Sequence, residues 1–157
     1  ANRQKQLIAY QELHMFNTNK TGASAYAKVG IETGVLAASP HELIVMLFDG
    51  AITSIHQEKI HMENGNISEK ARFITKSVNI INEGLRASLN KKVGGELATN
   101  LDELYSYIGT QIMHANIRND ASLLDEASLL LSDLRSAWKS IGGKTHVGAE
   151  MPVAASA

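Results

Sequence analysis

Only two prolines occur in the chain, Pro40 and Pro152, so nearly everything between them is free to wind as helix. Four segments use that freedom, each with its own punctuation. The first opens on Ser39-Pro40-His41-Glu42. Ser39 can accept from early N–H groups, Pro40 stands where an N–H would have no partner, and Glu42 can reach back to the cap. This helix is predicted to run to about Asn64, where Gly65 stops it. The second opens on Asn66-Ile67-Ser68-Glu69 and ends at Asn90-Lys91-Lys92. Its apolar residues, from Ile67 through Ala71, Ile74, Val78, Ile81 and Leu85 to Leu89, recur at spacings of four and three, a narrow bundle-type seam. After a break at Val93-Gly94-Gly95, the third carries Leu97, Leu101, Leu104, Ile108, Ile112 and Ala115 inward. Asp120 caps the fourth, which faces Leu124, Ala127, Leu131, Leu134, Trp138 and Ile141 to the core and is expected to close at Gly142-Gly143.

Short loops make consecutive helices antiparallel neighbours. The fold class is therefore all-α: an antiparallel up-down-up-down four-helix bundle over residues 39–143. Residues 1–38 form an N-terminal extension and a flexible strap, and residues 144–157 are expected to be a disordered tail.

The first helix holds more apolar surface than one core needs. Leu43, Ile44, Val45, Met46, Leu47 and Phe48 are consecutive, and at about 100° per residue they point all the way round. Ile44, Leu47, Phe48, Ala51, Ile55 and Met62 share one side, while Val45 and Ile52 lie beside it, about 90° away. On the second helix Phe73, Ile80 and Ala87 form an outer stripe at intervals of seven, with Gly84 beside it. On the fourth, Leu129 points away from the core. Single exposed apolar residues are ordinary on any surface. A whole stripe points to a surface made for another apolar chain.

Composition closes off other functions. The net charge is -1, without the basic excess that nucleic acid or an anionic membrane demands. The chain has no cysteine, which excludes disulfides and thiolate metal sites and fits a reducing compartment. The six-residue apolar run falls far short of the ~20 residues that span a bilayer, so no membrane insertion is expected. ANRQKQLIAYQELHMF lacks the layout of a secretory signal. A ferritin-like di-metal centre would need Glu-x-x-His on two helices. The one such motif, Glu58-Lys59-Ile60-His61, reads as solvated residues near a helix end. His14, His41, His56, His114 and His146 show no metal spacing. Asp49 and Glu42 read as solvated rather than as an acid–base pair. No phosphate-binding loop or nucleophile elbow occurs. No catalytic residue, metal or cofactor is expected.

Three landmarks in order carry a resemblance: GASAYAKVGIETGVLAASPHELIVMLFDGAI, NIINEGLRASLNKKVGGELATNLDELYSYI and ANIRNDASLLDEASLLLSDLRSAWKSI. Over about residues 22–141 the chain resembles the FliS family of flagellin export chaperones. Residues 1–14 have no counterpart in that pattern. The resemblance implies a non-enzymatic chaperone of the bacterial cytosol, a monomer or homodimer. Its partner would be the disordered C-terminal segment of flagellin, held back from polymerisation and delivered to the flagellar type III export apparatus. Other flagellar export or regulatory proteins are further partners. The resemblance also implies a strap that can occupy a partner groove, with Tyr26 and Val29 in the strap and Val45 and Ile52 in the groove. The helical-wheel reading adds Phe73, Ile80 and Leu129. Two readings of another class stand beside it: a homo-oligomeric helical bundle whose stripes pair with each other, and a ferritin-like metal-binding protein.

Overall fold

The helix starts written into the sequence are made by the side chains expected to make them. In the computed structural model, which describes residues 38–150 and side chains as far as Gly142, helix α1 spans Pro40–Glu63. Ser39 Oγ accepts from the Glu42 N–H at 3.2 Å, and Glu42 Oε2 accepts from the Ser39 N–H at 2.7 Å. Helix α2 spans Ile67–Asn79, with Asn66 Oδ1 accepting from the Glu69 N–H at 3.3 Å. It passes without a loop into a π-helical turn, Ile80–Arg86. Helix α3 spans Lys91–Arg118, with Asn90 as its cap and a kink at Gly95, whose φ is +53°. The break expected between helices at Val93-Gly94-Gly95 is thus a kink inside α3, which already begins at Lys91. Helix α4 spans Ala121–Glu150, and Asp120 Oδ1 accepts from the Ser122 N–H at 2.9 Å at its start. Residues 1–37, which hold Tyr26, Val29 and the strap, and residues 151–157 lie outside the described part.

The architecture is an all-α helical bundle. Helix α1 packs on α2 and on α4, and α3 packs on α4 and on the π-helical turn. Side-chain contacts pair His41 with Trp138, Asp49 with Arg135, His56 with Ser128 and Lys59 with Asp125. One member of each pair rises along α1 as the other falls along α4, so the two helices are antiparallel. The core is a single cluster built from Leu47, Phe48, Ile55, Ile81, Leu85, Tyr105, Ile108, Ile112, Leu124 and Leu131, among others.

Three expectations need correction. Ile80 is not on an outer stripe. It is 0% exposed and sits in the core beside Ile81, also 0%. The cause is the π-helical turn. A wheel drawn at a constant 100° assumes i→i+4 bonding, whereas i→i+5 bonding takes more residues per turn and brings two consecutive side chains inward. Ile67, read as the first residue of the inner seam, is 74% exposed, because the seam of α2 begins only where the helix meets its neighbours. And α4 does not end at Gly142-Gly143 but continues to Glu150. A helical glycine costs about 1 kcal/mol relative to alanine, which weakens a helix without barring it.

One glycine sets a distance between elements. A Cβ on Gly84 in the π-helical turn would lie 2.8 Å from Leu47 Cδ2 on α1, so the absent side chain is what lets the two backbones close. Gly109 on α3 has nothing within 4 Å of the same position. Gly84→Ala is expected to lower stability by about 1–3 kcal/mol through overpacking, while Gly109→Ala leaves it unchanged or raises it by up to about 1 kcal/mol. Urea unfolding of the two variants checks the pair.

Candidate partner-binding site

At about 100° per residue, His41, Val45, Asp49, Ile52, His56 and Lys59 fall within an arc of about 80° on α1. Four of them reach α4. The His41 ring stacks on Trp138 with centroids 5.2 Å apart. His41 Nε2 donates to the Trp138 carbonyl at 2.8 Å, and Trp138 Nε1 donates to the His41 carbonyl at 3.1 Å. Asp49 is paired with Arg135. The Ser128 hydroxyl and His56 Nε2 are 3.1 Å apart. Lys59 Nζ lies 2.7 Å from Asp125 Oδ1. The two remaining positions, Val45 and Ile52, are half-buried and packed against the core cluster. They are the apolar floor of the α1–α4 seam, and the polar contacts are rungs above, between and below them.

The other candidates scatter. Leu129 lies on the outer face of α4, opposite its core side, and is 62% exposed. Phe73 sits across α1, at the α1–α2 junction. Its ring stacks on His61 with centroids 5.5 Å apart, and the Arg72 guanidinium stands 4.4 Å over its centroid. It is half-buried. Ile80 belongs to the core and presents nothing at the surface. The structure thus sets Val45 and Ile52 on one seam and leaves Phe73, Ile80 and Leu129 away from it.

Three exposed apolar residues lie outside the stripes read from the wheel: Tyr107, Met113 and Ile117. Tyr107 shows why it is tolerated outside, since its hydroxyl donates to Glu126 Oε1 at 2.7 Å. Glu42 makes the cap contact expected of it, and Asp49, read as solvated, is paired with Arg135.

Glu58 is the larger surprise. It is not a solvated helix-end residue but 0% exposed, on the inner face of α1 between Ile55 and Met62. Neither carboxyl oxygen has a hydrogen-bond partner. Burial pushes its pKa up from 4.5 to about 8, against the opposing field of Lys70 on α2. Among the described residues no group of three His, Cys, Asp or Glu side chains could hold a metal ion. No helix among them is long and apolar enough to cross a membrane.

Similarity to known proteins can now be set against this geometry. The sequence profile described as flagellar protein FliS matches residues 22–145. The chain belongs to the FliS family. It is 45% identical over 124 residues to the flagellar secretion chaperone FliS of Salmonella typhimurium, covering 79% of this chain and 92% of that one. It is 45% identical over 116 residues to the flagellar secretion chaperone FliSB of Pseudomonas aeruginosa, covering 74% and 91%. The Bacillus subtilis flagellar secretion chaperone FliS is similar at 33% identity over 108 residues, 69% of this chain and 79% of that one. The FliS match begins before the first described helix and covers the α1–α4 seam entirely.

Glu58 makes the stability of this FliS-family bundle depend on pH. A carboxyl with a raised pKa in the folded state binds its proton more tightly there than in the unfolded chain. Its contribution is complete below the ordinary value of 4.5 and is lost as pH rises to about 8. Glu58→Gln, which keeps the shape and cannot ionise, is expected to raise the melting temperature clearly at pH 8 and much less at pH 5. Thermal scans of both proteins at the two pH values check this. An equal shift at both would mean the charge is not the cause.

Proposed function

We propose that this protein is a cytosolic export chaperone that binds the disordered C-terminal segment of flagellin, withholds it from polymerisation and assists its flagellar type III export. Membership of the FliS family, whose similar members are named flagellar secretion chaperones, supports the reading most directly. The α1–α4 seam supports it physically. Val45 and Ile52 give an apolar floor for alternate side chains of a bound segment.

The mechanism is mass action. A segment held on the chaperone leaves the pool that can polymerise. An extended chain that orders on binding can cover much surface while spending part of its interaction energy on ordering. The strap, through Tyr26 and Val29, is an intramolecular competitor for the same groove. It lowers apparent affinity for flagellin and keeps apolar surface from water when flagellin is absent.

Titration calorimetry with a synthetic C-terminal flagellin peptide tests the reading. One-to-one binding with a negative heat-capacity change is expected. Val45→Asp and Ile52→Asp should each weaken it at least tenfold, or about 1.4 kcal/mol, with helix content kept. Phe73→Ala, away from the seam, should change it little. Absence of binding, both to the full chain and to a chain lacking residues 15–35, would refute flagellin as the client.

A further inference from the structure

Helix α2 packs closely on α1 but buries fewer of its side chains than the turn that follows it. Of its 13 residues only Ile74 and Ser77 are buried. The seven-residue π-helical turn buries four: Ile80, Ile81, Gly84 and Leu85. That turn is also bound to α3, since Arg86 Nε lies 2.8 Å from Asp102 Oδ1. A π turn with most of its side chains buried therefore meets an α-helix with few buried at Asn79–Ile80. Single π turns recur at functional sites.

Beneath α2 lies the orphaned carboxyl. Glu58 faces inward from α1, fully buried, with both oxygens lacking a partner. Leaving such a group unsatisfied works against the packing that covers it. Lys70 is spaced with Ile74 and Ser77 at i, i+4 and i+7, on the inner side of α2. It is the charged group whose field acts on Glu58.

Several charged and polar groups on the surrounding elements are engaged elsewhere. On α1, Lys59 goes to Asp125 of α4, His56 to Ser128 and His61 to Phe73. On α2, Glu69 pairs with Arg72. On α4, Glu126 takes Tyr107 and Gln111 of α3. On the π turn, Arg86 goes to Asp102 of α3.

We propose that α2 is a flap, hinged where it enters the π-helical turn and latched over the neutral carboxyl of Glu58, and that loss of this proton to solvent releases it from α1. The closed form hides a neutral acid. The open form lets the carboxylate meet water and the Lys70 ammonium. No bond other than O–H is broken, and the proton passes to a solvent base. The device is independent of which client the chaperone carries.

Hydrogen exchange on the full chain from pH 5 to 9, corrected for intrinsic amide chemistry, tests it. The opening equilibrium reported by α2 amides is expected to rise about tenfold per pH unit and to level off near pH 8. Amides of the π turn, α3 and α4, which open only with the whole bundle, should share the slope, since unfolding also frees Glu58, at an opening equilibrium well below that of α2. Glu58→Gln should flatten the α2 profile. Lys70→Met, by removing the field that opposes burial, should move the levelling point to higher pH. The proposal is overturned if α2 amides open no more readily than those of the π turn at any pH, which would mean global unfolding only, or if Glu58→Gln keeps the slope.

Discussion

Burial of the apolar collar on α1 is the constraint around which the other helices are arranged. Six side chains from Leu43 to Phe48 face every direction, and no single neighbour can cover them. The bundle places α2 on one flank of α1 and α4 on the other. Ile44, Leu47 and Phe48 are buried completely, while Leu43, Val45 and Met46 are covered only in part. Each fully buried side chain of this size is worth about 1.5–3 kcal/mol, so the covered half is a large share of what holds the fold together. The absent side chain at Gly84 belongs to the same solution, since it lets the π turn close over Leu47.

The two flanks of α1 have different characters, and the difference separates the two functional ideas. Toward α4 the seam is laced by side-chain contacts and leaves apolar floor at Val45 and Ile52, which suits a chain laid along it. Toward α2 the junction hides a carboxyl without a partner beneath a helix with two buried residues. One flank offers a surface, and the other offers a means of movement.

Much of this was legible in the sequence because caps and regular periods are local signals. Ser39, Asn66 and Asp120 cap the helices expected of them, and all six apolar residues assigned to the inner side of α1 are buried. Val45 and Ile52 were placed beside that side, as observed. The failures share a cause. Ile80 and Gly84 were set outside because a uniform winding was assumed, and no local signal announces a π turn. Glu58 was set in water because glutamate is rarely buried alone. Yet it stands three residues after Ile55 and four before Met62, on the same wheel face, so its position was readable even though its chemistry argued otherwise. The His41–Trp138 contact, 97 residues apart in sequence, could come only from the fold.

The rungs across the α1–α4 seam alternate in kind. His41 with Trp138 and His56 with Ser128 are uncharged hydrogen-bonded contacts in partly buried surroundings. Asp49 with Arg135 and Lys59 with Asp125 are ion pairs at exposed positions. Dissolved ions screen the second kind over about 8 Å at physiological ionic strength and over shorter distances as salt rises. They leave the first kind almost untouched. Salt therefore weakens two of the four rungs and leaves the other two in place, so the contact between α1 and α4 answers to the ionic medium while the apolar core beneath it does not.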